Sequence, residues 1–188
     1  MDCILITNSG ELKNCIISYG RRNNVSVVLS VLVVPCIKVS IDNCVFENGG
    51  DWADDLRNRP GGGVVVEAGK LDAPACVEVS NSHFQGNYLK DIQLSKGALN
   101  CRLIRNRFSN VIKIQPNNRG GHELLENSFT GEAHISTIYG TPMQAPIVVR
   151  DNNFETKKYR ILYLRKMPRG SYKGQKPRVI VCKNTQVP

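Results

Sequence analysis

The chain has 188 residues, 41% of them apolar, and carries 25 Lys and Arg against 16 Asp and Glu, a net charge of +9. That length suits one ordered domain, and without a low-complexity tract the composition excludes a disordered or fibrous chain. Up to Glu155 there are 15 basic and 16 acidic residues, and from Thr156 onward ten basic and none acidic, so the excess charge belongs to the C-terminal segment.

Met1-Asp2-Cys3 opens without a basic region or a long apolar stretch, so no signal peptide is expected. Glu11-Leu12-Lys13-Asn14-Cys15-Ile16-Ile17 looks like a degenerate first copy of a phrase that recurs later, with Asn14 at a bend. No cap precedes it, which predicts a piece of a longer protein, or a rod whose ends stack on further coils or subunits. The run 25–34 is too short for a bilayer span and rich in Val, so it reads as two buried strands.

The phrase is clear in Val39-Ser40-Ile41-Asp42-Asn43-Cys44-Val45-Phe46. It returns as Val77 to Phe84, Cys101 to Phe108, His122 to Phe129 and Ile147 to Phe154. All five phenylalanines take part, at spacings of 38, 24, 21 and 25 residues. Seven and five residues before each Phe stand apolar side chains in the alternation of a half-buried strand, His122 being the polar exception. An asparagine lies two or three residues before each Phe: Asn43, Asn81, Asn106, Asn127, Asn152. Asparagine tolerates the left-handed conformation, so it is read as the bend residue. Most units add a second apolar strand, at 91–94, 111–114, 134–138 and 160–164.

A chain bending every 21 to 25 residues can coil, pairing each strand in parallel with the coil below at about 4.8 Å. On these asparagine and phenylalanine stacks, roughly Leu12 to Asn184 resembles the right-handed parallel β-helix of the pectin-lyase-like superfamily. The expected fold is an all-β solenoid of about six to seven coils in a single domain, 1–188. A leucine-rich repeat also places Asn near a strand end, but its leucine framework is missing.

Coil register puts Glu78, Arg102 and Glu123 in one outward column, with Asn81, Arg105 and Glu126 beside it. Alternating charges there are expected to support the ladder modestly. The seven cysteines show no metal-ligand spacing and read as small buried hydrophobes, which favours synthesis in a reducing compartment.

The one large insertion, 47–63, stretches the second unit and holds the only Trp. Loops leaving a repeat fold on one side are where function concentrates. The alternative reading of this loop is a Trp anchor with solvated carboxylates. The basic, Pro- and Gly-punctuated segment 157–178 interleaves Tyr159, Tyr163 and Tyr172 and reads as a polyanion contact or an interface; no nucleic-acid motif accompanies it.

The resemblance implies binding or cleavage of a polysaccharide along the outer coil face, in the style of tail-spike depolymerases. The polygalacturonase-like signatures are missing except for a lone Asp54-Asp55, and so is the pectate-lyase arginine signature. A glycosidase needs two carboxyl groups, and Asp51, Asp54, Asp55 and Glu67 are the acidic cluster dense enough to supply them. Trp52 could stack on a sugar, and Arg57 and Arg59 could hold a uronate or sulfate. A lyase needs a base beside a carboxylate and a cation or arginine to steady the enolate; Lys90, Arg105 or Arg107 could serve. No cofactor is expected for a hydrolase, while a lyase could use a divalent cation. The rival reading is a non-catalytic rod that binds a protein or polyanion through its basic end.

Overall fold

The computed structural model describes residues 2–20, 23–29, 37–50, 62–68, 75–95, 97–115, 119–138, 145–156, 162–165 and 178–186. Their regular structure is all β, in three sheets of seven strands each, and every strand pairing is parallel. The first sheet stacks Ile4–Ile6, Asn23–Leu29, Gly62–Ala68, Ile92–Leu94, Ile112–Ile114, Ile135–Ile138 and Leu162–Arg165. The second stacks Gly10–Lys13, Ile37–Asp42, Ala75–Ser80, Arg102–Ile104, Glu123–Leu125, Ile147–Arg150 and Val179–Cys182. The third stacks Ile16–Ser18, Val45–Glu47, His83–Gln85, Arg107–Phe108, Ser128–Gly131, Asn153–Thr156 and Thr185–Gln186. The chain visits first, second and third sheet in turn and then repeats, which is a parallel, solenoid-like architecture.

Each strand turns alternate side chains inward. The first sheet contributes Val25, Val27, Val64, Val66, Ile92, Leu94, Ile112 and Ile114, the second Val39, Ile41, Val77, Val79, Leu103 and Leu124, all buried in one core. From the third sheet come the phenylalanines, fully buried at 46, 84, 108, 129 and 154. Their ring centroids follow one another at 4.8, 5.0, 5.3 and 4.3 Å. Parallel in-register pairing leaves each ring on the next, and such contacts add about 0.5–1.5 kcal/mol each beyond area burial.

The segment carrying Phe is thus a strand of its own, and each full unit has three strands instead of two. Ile17 fills the aromatic position of the first unit, opposite Phe46, with Asn14 at its bend as the sequence indicated. Of the run 25–34, expected to form two strands, only the first part is described. One strand covers Asn23–Leu29, and 30–36 lies outside the described residues.

The asparagine assignment needs correction, because two adjacent positions are involved. The left-handed residue is always three before the aromatic position: Asn14 (φ 55), Asn43 (φ 50), Asn81 (φ 49), Arg105 (φ 53), Glu126 (φ 55), Asp151 (φ 56) and Lys183 (φ 52). Asn106, Asn127, Asn152 and Asn184 stand one residue later, inside the corner. There each amide Nδ2 donates to the Oδ1 of the next asparagine, at 3.2, 2.9 and 2.8 Å along the series. Each of those Oδ1 atoms also accepts the preceding asparagine's backbone N–H, at 2.9, 2.8 and 2.9 Å. Where Asn moves inward to build this ladder, an ordinary residue must take the left-handed bend, at a cost of about 1–2 kcal/mol. The ladder repays it by satisfying backbone groups that no water reaches.

The outward column falls as the register required. Arg102 pairs with Glu78 on one side and Glu123 on the other. Its guanidinium bridges them at 2.8 and 2.9 Å.

Candidate functional site at the neck of the insertion

The insertion leaves the third sheet after Val45–Glu47 and returns at Gly62–Ala68 in the first. Asp51, Trp52, Asp54, Asp55, Arg57 and Arg59 all lie in 51–61, outside the described residues. What is described is the neck that holds the two ends of the loop together. A side chain on Gly49 would collide with the Gly62 carbonyl, and one on Gly62 would sit 2.9 Å from Lys90 Cγ and 3.2 Å from Lys90 Cε. Glycine is needed on both sides because the two backbones and the lysine stem share this space.

Main-chain bonds fix the closure. Gly50 donates to Gly20 O at 2.8 Å, Tyr88 to Gly49 O at 3.0 Å and Gly63 to Lys90 O at 3.1 Å. Beneath them runs a buried polar chain. Asn24 Oδ1 accepts the Gly20 N–H at 3.0 Å, and its Nδ2 donates to Glu47 O at 3.1 Å and to Asn87 Oδ1 at 3.3 Å. Asn87 Oδ1 also accepts from Gly49 N at 3.0 Å, while its Nδ2 donates to Phe46 O at 3.1 Å and to Asp91 Oδ1 at 3.0 Å. The other Asp91 oxygen accepts the N–H groups of Ser109 and Asn110 at 2.8 and 2.7 Å.

Two ionisable groups stand side by side here with displaced titrations. Burial lifts Asp91 to about 6 even against its three donors. Burial, aided by the charge of Lys113, lowers Lys90 to about 8. Lys90 is only 3% exposed, so its long stem is packed instead of trailing in solvent. An amine that is partly neutral near pH 8 can take a proton, whereas an ordinary surface lysine stays charged. Asp91, satisfied on both oxygens, braces the neck and is not placed to exchange protons with a substrate.

The remaining sequence-derived candidates are distributed around the molecule. Glu67 is exposed on Gly62–Ala68 of the first sheet, the strand that follows the neck. Arg105 is exposed at a left-handed bend between second and third sheets, its Nε donating to Asn81 Oδ1 at 3.0 Å and its Nη1 3.8 Å from Glu126. Arg107 sits on the third sheet opposite His83, whose titration is lowered by burial and by that arginine. Glu67 therefore shares neither sheet nor bend with Arg105 and Arg107. Of the lysine and arginines considered for a base, Lys90 alone is at the insertion.

Sequence reasoning passed over Asn24, Asn87 and Asp91. A signal did exist: a polar or glycine pair follows the phenylalanines, at Asn48-Gly49, Gly86-Asn87 and Ser109-Asn110, and marks a second corner. His122, the polar exception in the strand pattern, is fully buried, and its Nδ1 accepts the Cys101 N–H at 3.2 Å. Burial pushes its titration down to about 4. Among the described residues no three His, Cys, Asp or Glu side chains are grouped to hold a metal ion, and no helix is long and apolar enough to cross a membrane. Comparisons with family models, with curated proteins and with solved structures returned no match.

Proposed function

We propose that this chain is a right-handed parallel β-helix of seven coils, of the pectin-lyase-like kind, that binds and cleaves an acidic polysaccharide at the neck of the 47–63 insertion. The observation that carries the reading is Lys90: a buried lysine with its titration brought to about 8, packed against Gly62 where the loop rejoins the rod. General-base work needs a group that changes protonation near the working pH.

In this reading the neutral Lys90 amine takes the proton from the carbon beside a uronate carboxylate. The electron pair released forms the new C=C bond as the glycosidic C–O bond breaks, and the leaving oxygen ends as a hydroxyl once protonated. Arg57 and Arg59 are assigned to the uronate carboxylate and Trp52 to a sugar face. A divalent cation or arginine would steady the enolate charge that develops. Val181 stands in register with the buried Val149 yet is half-exposed at one end of the stack, which supports a further coil or subunit there.

The test is a screen of acidic and neutral polysaccharides that follows new reducing ends together with absorbance from unsaturated uronates. Unsaturation supports elimination with Lys90 as base. Reducing ends without unsaturation move the chemistry to hydrolysis by Asp51, Asp54, Asp55 or Glu67. Retention on a glycan column without cleavage leaves a binding rod, and no retention removes the carbohydrate reading.

A further inference from the structure

The asparagine ladder ends before it reaches the first units. Ser82 continues it, its N–H donating to Asn106 Oδ1 at 3.0 Å and its Oγ accepting the Cys44 N–H at 3.1 Å. The next two places in the column are taken by thiols, Cys44 and then Cys15. Val45 N–H donates to Cys15 O at 2.8 Å, and Ile16 is the register partner of Val45, so the two cysteines face each other on adjacent parallel segments. That pairing sets their Cα atoms about 4.8 Å apart, inside the range of about 4.4–6.8 Å that a disulfide spans. Each thiol points toward the carbonyl two residues back, Cys15 to Lys13 O at 3.2 Å and Cys44 to Asp42 O at 3.3 Å. The side chains thus share one orientation. A rotation about one Cα–Cβ bond would turn one sulfur onto the other.

We propose that Cys15 and Cys44 form a reversible redox clip that joins the first two units covalently where the side-chain ladder stops. The clip joins the first two units at one end of the stack. Closure needs a small-molecule disulfide such as oxidised glutathione. The Cys15 thiolate, half-buried and so the accessible one, attacks a glutathione sulfur and releases one glutathione thiolate. Cys44, deprotonated as it reacts, then attacks Cys15 Sγ of the mixed disulfide and releases the second glutathione. Two protein thiols are oxidised to one disulfide, and one glutathione disulfide is reduced to two thiols. Burial pushes the Cys44 thiol up and lowers its thiolate fraction, so it reacts second, once the mixed disulfide stands beside it on the neighbouring unit. The other described cysteines do not compete for the closure. Cys3 and Cys182 are exposed near opposite ends of the stack, Cys76 is half-buried on the second sheet in register with Lys38, and Cys101 is buried in the second-sheet column in register with Val77.

The experiment titrates the purified whole chain with mixtures of reduced and oxidised glutathione, followed by intact mass and by peptide mapping under non-reducing acid conditions. The expected result is an intramolecular Cys15–Cys44 link, a mass loss of about 2 Da for its two hydrogens, reversed by dithiothreitol. The oxidised protein should also show a higher urea midpoint than the reduced one, a difference absent from Cys15→Ser and Cys44→Ser. A Cys15 that stays glutathionylated without closing, links confined to Cys3 or Cys182, or thiols at 15 and 44 that remain free throughout would each overturn the clip. None of these readouts involves polysaccharide, so the outcome is independent of the proposed activity.

Discussion

Asn127 delivers both its backbone N–H, at 2.8 Å, and its side-chain Nδ2, at 2.9 Å, to the single Oδ1 of Asn152. The same Asn127 amide donates to Leu103 O at 2.8 Å, and its own Oδ1 receives the Asn106 N–H at 2.9 Å. One side chain thus serves three successive units. Asn127→Ala leaves a buried N–H and a buried carbonyl without partners and is expected to cost about 2–3 kcal/mol by urea unfolding. Asn127→Ser, which restores a hydroxyl as Ser82 does, should recover part of that. One residue earlier the logic reverses: Glu126→Asn relieves a left-handed bend and should gain on the order of 0.5 kcal/mol.

His122 and Asp91 oppose each other in mild acid. His122 falls from 6.5 to about 4 on folding, so its contribution is present above 6.5 and lost as pH drops through 4. Asp91 rises from 3.8 to about 6, so its contribution is present below 3.8 and lost as pH climbs through 6. Each amounts to about 3 kcal/mol over its range. The two nearly cancel between pH 4 and 6, and stability by urea should be flat there. His122→Asn, which keeps an acceptor for Cys101 N, should unmask a stability that falls as pH rises. Asp91→Asn should unmask the opposite slope, from a lower starting point, because its new amide faces the Asn87 amide.

Arg102 bridges two glutamates, but all three side chains keep 31–42% of their exposure. Arg102→Gln should therefore lower stability by only about 0.5–1 kcal/mol, and 1 M salt should erase most of the difference.

Thr137 stands in an apolar column of the first sheet, in register with Ile114, and its buried Oγ1 has no hydrogen-bond partner among the described residues. Thr137→Val keeps the shape and removes the stranded hydroxyl. A gain of about 1 kcal/mol is expected from thermal or urea unfolding.

How far the sequence carried depends on which contacts repeat. The phenylalanines announced the stack because in-register parallel pairing places equivalent residues on one another. The same register places Glu78, Arg102 and Glu123 in one outward column. Asn43 and Asn127 were merged because the residue type that tolerates a left-handed bend is also the one that builds an interior amide ladder. Spacing of two against three residues from Phe separates the two roles. The neck was illegible for another reason: Asn24 and Asn87 meet across 63 residues, and their bonds run largely to backbone groups whose positions only the folded corner defines.

Lys90 is the proposed base at the insertion neck. The most direct test of that role is the pH dependence of unsaturated-uronate release from a panel of uronate polysaccharides, for the native chain and for Lys90→Arg, with folding of both checked by urea. The rate is expected to rise as the amine deprotonates through about 8, and Lys90→Arg to lose about 100-fold or more with glycan retention kept. No unsaturated product on any polymer, or full activity in a folded Lys90→Arg, would contradict that role.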